Sequence, residues 1–268
     1  MVKLTDGEFL EFVQYMHKNY GIDLSKKRIL IEGRMSNLIE KKGMSSFSEY
    51  LDSIKRNNKD EITMLINKLT TNYTYFYREE NHFKYLRDVI LPHEEKNNKT
   101  KVLNIWSAGC SSGEEPYTLA MVLDDYFKFM KDKWKIQIYA TDISENVLSK
   151  ARDGIYSVES IKNLPESYKK RYFTKTKDGK YQVLPEIKKQ ITFKVFNLMD
   201  PVVARNKYDV IFCRNVMIYF NAETKINIVN KFYDATKAGG YLMIGHAETI
   251  QRGKSKYLYV NPAIYKKE

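Results

Sequence analysis

Cysteine is scarce: Cys110 and Cys213 are the only two in 268 residues. Two thiols make no disulfide framework and are too few for a zinc cage, so reduced thiols are expected. No run of about 18 apolar residues occurs, so no membrane-spanning helix is expected. The opening Met1-Val-Lys-Leu-Thr-Asp-Gly-Glu8 lacks a signal-peptide pattern. A soluble, cytoplasmic protein is the expectation. Internal repeats and low-complexity tracts are missing too.

What is present is a hydrophobic content of 43%, enough for a core, and a formal charge of +12. The charge is unevenly spread. Residues 1–95 hold 15 Lys+Arg and 15 Asp+Glu, whereas residues 96–268 hold 30 against 18. Within 150–194 the count is 12 against 5, a net of +7. A basic surface suits nucleic acid, an anionic membrane or an acidic protein. A lysine-rich composition bias explains it equally well.

The first 90 residues read as helical. Phe9, Phe12, Val13 and Met16 fall at helical spacing, and Ser25 is the expected cap of a second helix carrying Ile31, Met35 and Leu38. Gly43 ends that helix. Phe47, Tyr50, Leu51 and Ile54 mark a third helix, and Ile62, Leu65, Ile66 and Leu69 a fourth. Thr70–Arg78 fits neither helix nor strand, and Glu94–Thr100 reads as a linker. From Lys101 the period changes. Strands are expected at Val102–Trp106, Ile136–Ala140, Ile191–Phe196, Tyr208–Cys213, Tyr241–Ile244 and Tyr257–Tyr265, with helices at Pro116–Met130, Asn146–Asp153 and Thr224–Thr236. Such alternation implies a largely parallel, doubly wound sheet, with the last strand arriving antiparallel. Residues 154–190 break the pattern, and Asp178-Gly179 between two β-like runs signals a hairpin.

The densest chemical signal is Val102-Leu-Asn-Ile-Trp-Ser-Ala-Gly-Cys-Ser-Ser-Gly-Glu-Glu-Pro-Tyr117. A strand, a glycine-containing turn and a helix start form the usual entrance to a nucleotide or nucleoside site. Only Gly109 and Gly113 are glycines, so the dinucleotide fingerprint is incomplete. Glu114 and Glu115 stand where a pyrophosphate needs bare N–H groups. They favour a cationic or zwitterionic ligand such as S-adenosylmethionine, or else simply complement the helix dipole. Asp142, ending the second strand, is placed for ribose hydroxyls, or alternatively as the cap of the next helix. Beyond the fourth strand Arg214, Asn215 and Tyr219 reach the ligand crevice, with Asn197 on the adjacent rim. Asn-Pro-Pro-Tyr, with which base-modifying amino-methyltransferases grip a flipped base, is absent.

Thr71-Asn-Tyr-Thr-Tyr-Phe-Tyr-Arg-Glu79 with His82-Phe83 resembles the signature preceding the catalytic domain of chemotaxis receptor methyltransferases, the CheR family. Trp106–Tyr117, Ala140-Thr-Asp-Ile143, Phe196-Asn-Leu198, Cys213-Arg-Asn-Val-Met-Ile-Tyr-Phe220 and Gly245-His-Ala-Glu248 are similar to its later motifs, in order. The resemblance covers essentially the whole chain. It implies an α/β fold: a Rossmann-like class I S-adenosylmethionine-dependent methyltransferase domain at 91–268, with a small inserted β subdomain at about 154–190. An all-helical N-terminal domain at 1–90 precedes it. The implied cofactor contacts are Asn72, Thr74, Arg78, Glu115, Asp142, Asn197, Leu198 and Asn215, with Arg78 and Tyr219 at the transfer site.

The implied reaction moves a methyl group from S-adenosylmethionine to glutamate side chains of chemoreceptors, leaving S-adenosylhomocysteine, and needs no metal. Acidic receptor helices suit basic docking surfaces, here Lys27, Arg34 and Lys41 at seven-residue spacing and the β subdomain. The alternative for those three is that they border the apolar stripe and snorkel. A cytoplasmic monomer recruited to membrane receptor arrays is expected, with no nucleic acid bound and no membrane insertion. Two other classes stand beside it: a nucleic-acid methyltransferase, suggested by charge, and a non-catalytic S-adenosylmethionine-binding module on a receptor array.

Overall fold

A computed structural model describes residues 2–56, 59–71 and 73–268, and only the backbone of residues 59, 60 and 131. Four helices come first: α1 (Asp6–Tyr20), α2 (Arg28–Lys41), α3 (Phe47–Lys55) and α4 (Lys59–Leu69). Helix α1 opens on a capping box, in which the Thr5 hydroxyl takes the Glu8 N–H and the Glu8 carboxylate takes the Thr5 N–H. Ser25 does not cap α2. Its N–H and hydroxyl both turn back on Asp23 Oδ1, at 3.0 and 2.6 Å, because that acceptor lies only two residues away. Gly43 does close α2, at φ +73°.

Two short helices follow an irregular segment, α5 (Asn81–Tyr85) and α6 (Leu91–Asn97), joined by a π-turn at Leu86–Ile90. Helix α6 occupies most of the stretch expected to be a linker. Leu86, Ile90 and Leu91 cross the boundary expected near residue 90, and all three are buried in the sheet-side core. Next come β1 (Val102–Ala108), α7 (Glu114–Tyr126), β2 (Lys135–Asp142) and α8 (Glu145–Asp153). The stretch after α8 holds β3 (Ile155–Tyr156), α9 (Val158–Ile161), α10 (Glu166–Tyr172), β4 (Phe173–Lys175), β5 (Tyr181–Val183) and α11 (Pro185–Lys188). Strands β3, β5 and β4 pair antiparallel into a small separate sheet, with Gly179 at φ +78° in the Asp-Gly turn. The chain ends with β6 (Ile191–Val195), β7 (Tyr208–Cys213), α12 (Ala222–Ala235), β8 (Thr236–Ile244), β9 (Leu258–Asn261) and β10 (Ile264–Lys266).

The main sheet has the order β6-β2-β1-β7-β8-β10-β9, parallel except where β10 meets β8 and β9. The single final strand expected over Tyr257–Tyr265 is instead the hairpin β9–β10, which reverses through Ala263 at φ +61°. Every residue of β7 is buried, as a central parallel strand requires. Alternation along the strands feeds two cores. Leu103, Ile105 and Phe212 face α7, α5 and the small sheet. Trp106, Ile211 and Leu242 face α12 and the N-terminal helices, where Phe12, Met16, Ile31 and Met35 are fully buried. No helix among the described residues is long and apolar enough to cross a membrane.

Strands are added in one direction from β1 to β2 and β6, and in the other from β7 to β8. The carboxyl ends of β1 and β7 therefore flank the switch point, where open α/β sheets leave a crevice.

Candidate active site

Gly109 turns the chain out of β1 at φ +84°, and a Cβ there would lie 2.4 Å from Val216 Cγ2. Only glycine lets the loop after β1 lie this close to the loop after β7. Gly109 and Cys110 then donate their N–H groups to the Thr141 carbonyl, at 2.7 and 2.9 Å. Asp142 closes the same corner. Its Oδ2 takes the Ser111 N–H at 2.9 Å and its Oδ1 the Ser144 N–H at 3.0 Å. The cap of α8 is Ser144, whose hydroxyl accepts from Val147 N–H, so Asp142 is left facing the crevice. Burial pushes its pKa up, opposed by those backbone donors.

The two acids of α7 part company. Glu114 is buried against Ser112, whose hydroxyl donates to it at 2.7 Å. Glu115 lines the crevice, with Oε1 taking the Ser107 hydroxyl at 2.7 Å and Oε2 taking Arg214 Nη1 at 3.2 Å. Both carboxyls are pushed up in pKa by burial, Glu115 against the pull of Arg214.

Thr71 and residues 73–80 form a strap across the crevice. Asn72 lies outside the described residues. Thr74 and Arg78 line the crevice. Arg78 donates Nη1 to the Tyr73 carbonyl at 2.7 Å and sits 5.9 Å from the Tyr75 ring centre. Among the described residues it pairs with no carboxylate. The ion pair that ties the strap down belongs to the next residue: Glu79 Oε2 meets Arg214 Nη2 at 3.0 Å. Tyr77 and Glu79 hold left-handed backbone, φ +63° and +56°, an uncommon state for side-chain-bearing residues that clusters at functional sites. At the strap's other end the Tyr219 hydroxyl bonds to the backbone of Thr71.

Asn197 and Leu198 supply the far rim after β6. Asn197 Nδ2 donates to the Asn19 carbonyl at 2.8 Å, which brings the end of α1 to the site. Asn215, at φ +60°, gives its side-chain N–H to Glu79 Oε1 at 3.2 Å and its backbone N–H to Glu248 at 3.0 Å. Buried Glu248 also collects the N–H groups of Gly245 and Ile218, which fixes the turn carrying Asn215.

Together these walls line a cleft that opens to solvent, about 1060 Å³ when the open space at its mouth is counted. Thr74, Arg78, Glu115, Asp142, Asn197, Leu198, Asn215 and Tyr219 all line it. The CheR methyltransferase SAM binding domain matches residues 72–265, and the CheR methyltransferase all-alpha domain matches residues 7–70. The chain belongs to the CheR methyltransferase family. A chemotaxis protein methyltransferase of Borreliella burgdorferi is 45% identical, over 99% of this chain and 96% of its own length. Chemotaxis protein methyltransferase 1 of Pseudomonas aeruginosa is 35% identical over 96% and 95%, and the chemotaxis protein methyltransferase of Escherichia coli 34% over 98% and 91%.

As a CheR methyltransferase the chain uses S-adenosylmethionine, and its cleft suits that cofactor. Two acids, Glu115 and Asp142, face the space, and the buried Ser111 hydroxyl beside them has no hydrogen-bond partner among the described residues. Sequence reasoning places Arg214 in the crevice but misses its work as a clamp. It misses Glu79 and Glu248 as site residues altogether, although both stand in motifs that carry the family resemblance. His82 is missed as well. It is fully buried, neither ring nitrogen makes a hydrogen bond among the described residues although Nδ1 lies 3.6 Å from Glu79 Oε2, and burial holds its pKa down at about 3. Glu79, His82 and His246 bring ligand-type atoms within 4.8 Å of one another. The guanidinium already bonded to Glu79 Oε2 opposes a cation there.

Lys27, Arg34 and Lys41 are all exposed along α2. Lys27 sits at the cap position and Lys41 is the last helical residue. Arg34 also serves a structural purpose, since its Nη1 donates to the Lys68 carbonyl at 2.8 Å and satisfies the C-terminus of α4.

Proposed function

We propose that this CheR methyltransferase methylates glutamate side chains in the cytoplasmic helices of chemotaxis receptors. The observation that carries the reading is Arg78. Its guanidinium lines the cofactor cleft with one N–H on the Tyr73 carbonyl and no carboxylate partner among the described residues. The remaining donors match an incoming carboxylate, which arginine recognises through a planar fork.

S-adenosylmethionine supplies a methyl group on a sulfonium, and its transfer to a carboxylate oxygen leaves a glutamyl methyl ester and S-adenosylhomocysteine. A glutamate with a reference pKa of about 4.3 is already deprotonated near neutrality, so the acceptor needs no general base. What remains for the chain is to orient the carboxylate and exclude water. Arg78 orients it in this proposal. Tyr219 steadies the strap that carries Arg78, because its hydroxyl is engaged by Thr71. Asn72, Thr74, Glu115, Asp142, Asn197, Leu198 and Asn215 are proposed as the cofactor contacts.

Receptor docking is proposed for the α2 face bearing Lys27, Arg34 and Lys41 and for the basic stretch 150–194, where a net charge of +7 suits acidic helices. This implies a cytoplasmic protein recruited to receptor arrays. The test is methyl transfer from labelled S-adenosylmethionine to receptor-containing membranes, with total RNA as parallel acceptor and Arg78→Ala as control. Base-labile label on a receptor-sized protein, lost in the variant, supports the proposal. Label on RNA alone overturns it.

A further inference from the structure

Among the described residues, four charged side chains line the cleft: Arg78 and Arg214 against Glu115 and Asp142. Each carboxylate oxygen of that pair already takes a donor. Glu115 takes the Ser107 hydroxyl and Arg214; Asp142 takes the N–H groups of Ser111 and Ser144. The backbone N–H groups on both oxygens of Asp142 and the guanidinium on Glu115 favour the ionised forms, against the burial that raises both pKa values. The lining therefore balances to zero.

Glu79 breaks the balance from behind. Its carboxylate is half-buried and gathers Arg214 Nη2 at 3.0 Å, Asn215 Nδ2 at 3.2 Å and the His246 N–H at 3.3 Å. Burial works to raise its pKa, but Arg214 and Asn215 hold it below the usual carboxylate range. The nearby His82 ring is neutral, since its pKa is held down at about 3. Glu248, buried in the turn after β8, takes backbone N–H groups and pairs with no charged lining residue among the described ones. Arg214 is thus shared between a carboxylate that faces the ligand and one that does not.

We propose that Glu79, through its ion pair with Arg214, gives the cleft a net charge of −1 and thereby discriminates between S-adenosylmethionine and S-adenosylhomocysteine. The ammonium and carboxylate of the methionyl part cancel in both molecules. Only the cofactor carries the sulfonium, a charge of +1, and the product is neutral overall. With Glu79 in place, Arg214 is held off full neutralisation of Glu115, and the cleft attracts the charged form. Without it, Arg214, still donating to the Arg78 carbonyl, has Glu115 as its one carboxylate among the described residues, and the attraction specific to the sulfonium is lost. Glu79 is a specificity-determining residue that acts through Arg214.

The test is calorimetric titration of the full chain with S-adenosylmethionine and, separately, S-adenosylhomocysteine. No methyl acceptor is present, so the outcome is independent of whether receptors are the substrate. Glu79→Gln removes the charge at nearly constant shape. Its Kd for S-adenosylmethionine rises about tenfold, the order expected for one charge in a partly buried site, while that for the product changes less than about threefold. A structural defect weakens both ligands alike, so equal shifts, or none, overturn the proposal. Arg214→Gln supplies a second arm should the first variant not fold. It makes the lining more negative and moves the ratio of the two constants in favour of S-adenosylmethionine. No movement, or movement toward the product, also overturns the proposal.

Discussion

The hydroxyl of Tyr219 is tied to Thr71 in both directions: it takes the Thr71 N–H at 3.0 Å and donates to the Thr71 carbonyl at 2.9 Å. The two residues stand 148 positions apart, and the pair fastens the strap to the turn after β7. Tyr219→Phe keeps the ring and removes both bonds. Thr71 is exposed, so water replaces them and stability falls by no more than about 1 kcal/mol. Methyl transfer falls by an order of magnitude or more, because the strap no longer holds Arg78 in register. Parallel melting curves and turnover assays check this, and unchanged turnover would sink the positioning role.

Arg78→Ala is expected to lower receptor methylation at least about a hundredfold, the scale for loss of a group that aligns reactants. Arg78→Lys restores little, since a lysine offers a point charge instead of a planar fork. Stability changes are small in both, because among the described residues the Arg78 side chain has one carbonyl and one ring as partners. Single-turnover kinetics with saturating cofactor provides the measurement. Full activity in the alanine variant removes Arg78 from the transfer site.

Acid should destabilise the fold partly through His82. Its folded pKa of about 3 lies below the ordinary 6.5, so between those values the unfolded chain binds the extra proton. Stability contributed here is present above pH 6.5 and is lost as pH falls through that window, by up to about 1.4 kcal/mol per pH unit. The buried carboxylates Glu114, Glu115, Asp142 and Glu248 are raised and act in the opposite sense, so a difference measurement is needed. Denaturant melts of the wild type and of His82→Phe from about pH 7 to about pH 4 give it. The wild-type curve falls more steeply, and parallel curves refute the assignment.

Gly109→Ala combines left-handed strain with a collision on Val216. We expect a stability loss of about 1–3 kcal/mol and a weakened affinity for S-adenosylmethionine. Calorimetry on the folded fraction distinguishes this from simple unfolding. An alanine variant that binds normally means the two loops move apart freely.

The three basic residues of α2 should separate by experiment. Lys27→Glu with Lys41→Glu raises the KM for receptor membranes and leaves the Kd for S-adenosylmethionine unchanged, an effect that weakens at high salt. Arg34→Ala additionally lowers the melting temperature, because the Lys68 carbonyl at the end of α4 loses its donor. Identical KM values for variant and wild type take the α2 face out of the docking surface.

Much of this protein is written locally. Turn chemistry at Gly109 and Gly113, the apolar run of β7, the Asp178-Gly179 hairpin and the acid that ends β2 all depend on neighbours in sequence. Periodicity exposes such features, and the order of the motifs places them on one crevice. The same local logic misjudges Ser25 and the last strand. Asp23 competes for the serine, and the hairpin reversal at Ala263 carries no glycine to mark it.

Contacts between distant segments are legible only in the folded chain. Which of Glu114 and Glu115 faces the cleft depends on the reach of Arg214, 99 residues beyond Glu115. The Glu79–Arg214 pair spans 135 residues and the Thr71–Tyr219 pair 148. Side-chain type shows that a charge or hydroxyl needs a partner, but a buried partner is chosen by which chain ends the sheet brings together. Fold, family and the charged part of the cleft lining follow from the order of residues alone. How the cleft's charges are shared follows from packing, because a guanidinium removed from water must take whichever carboxylates the folded chain holds within reach.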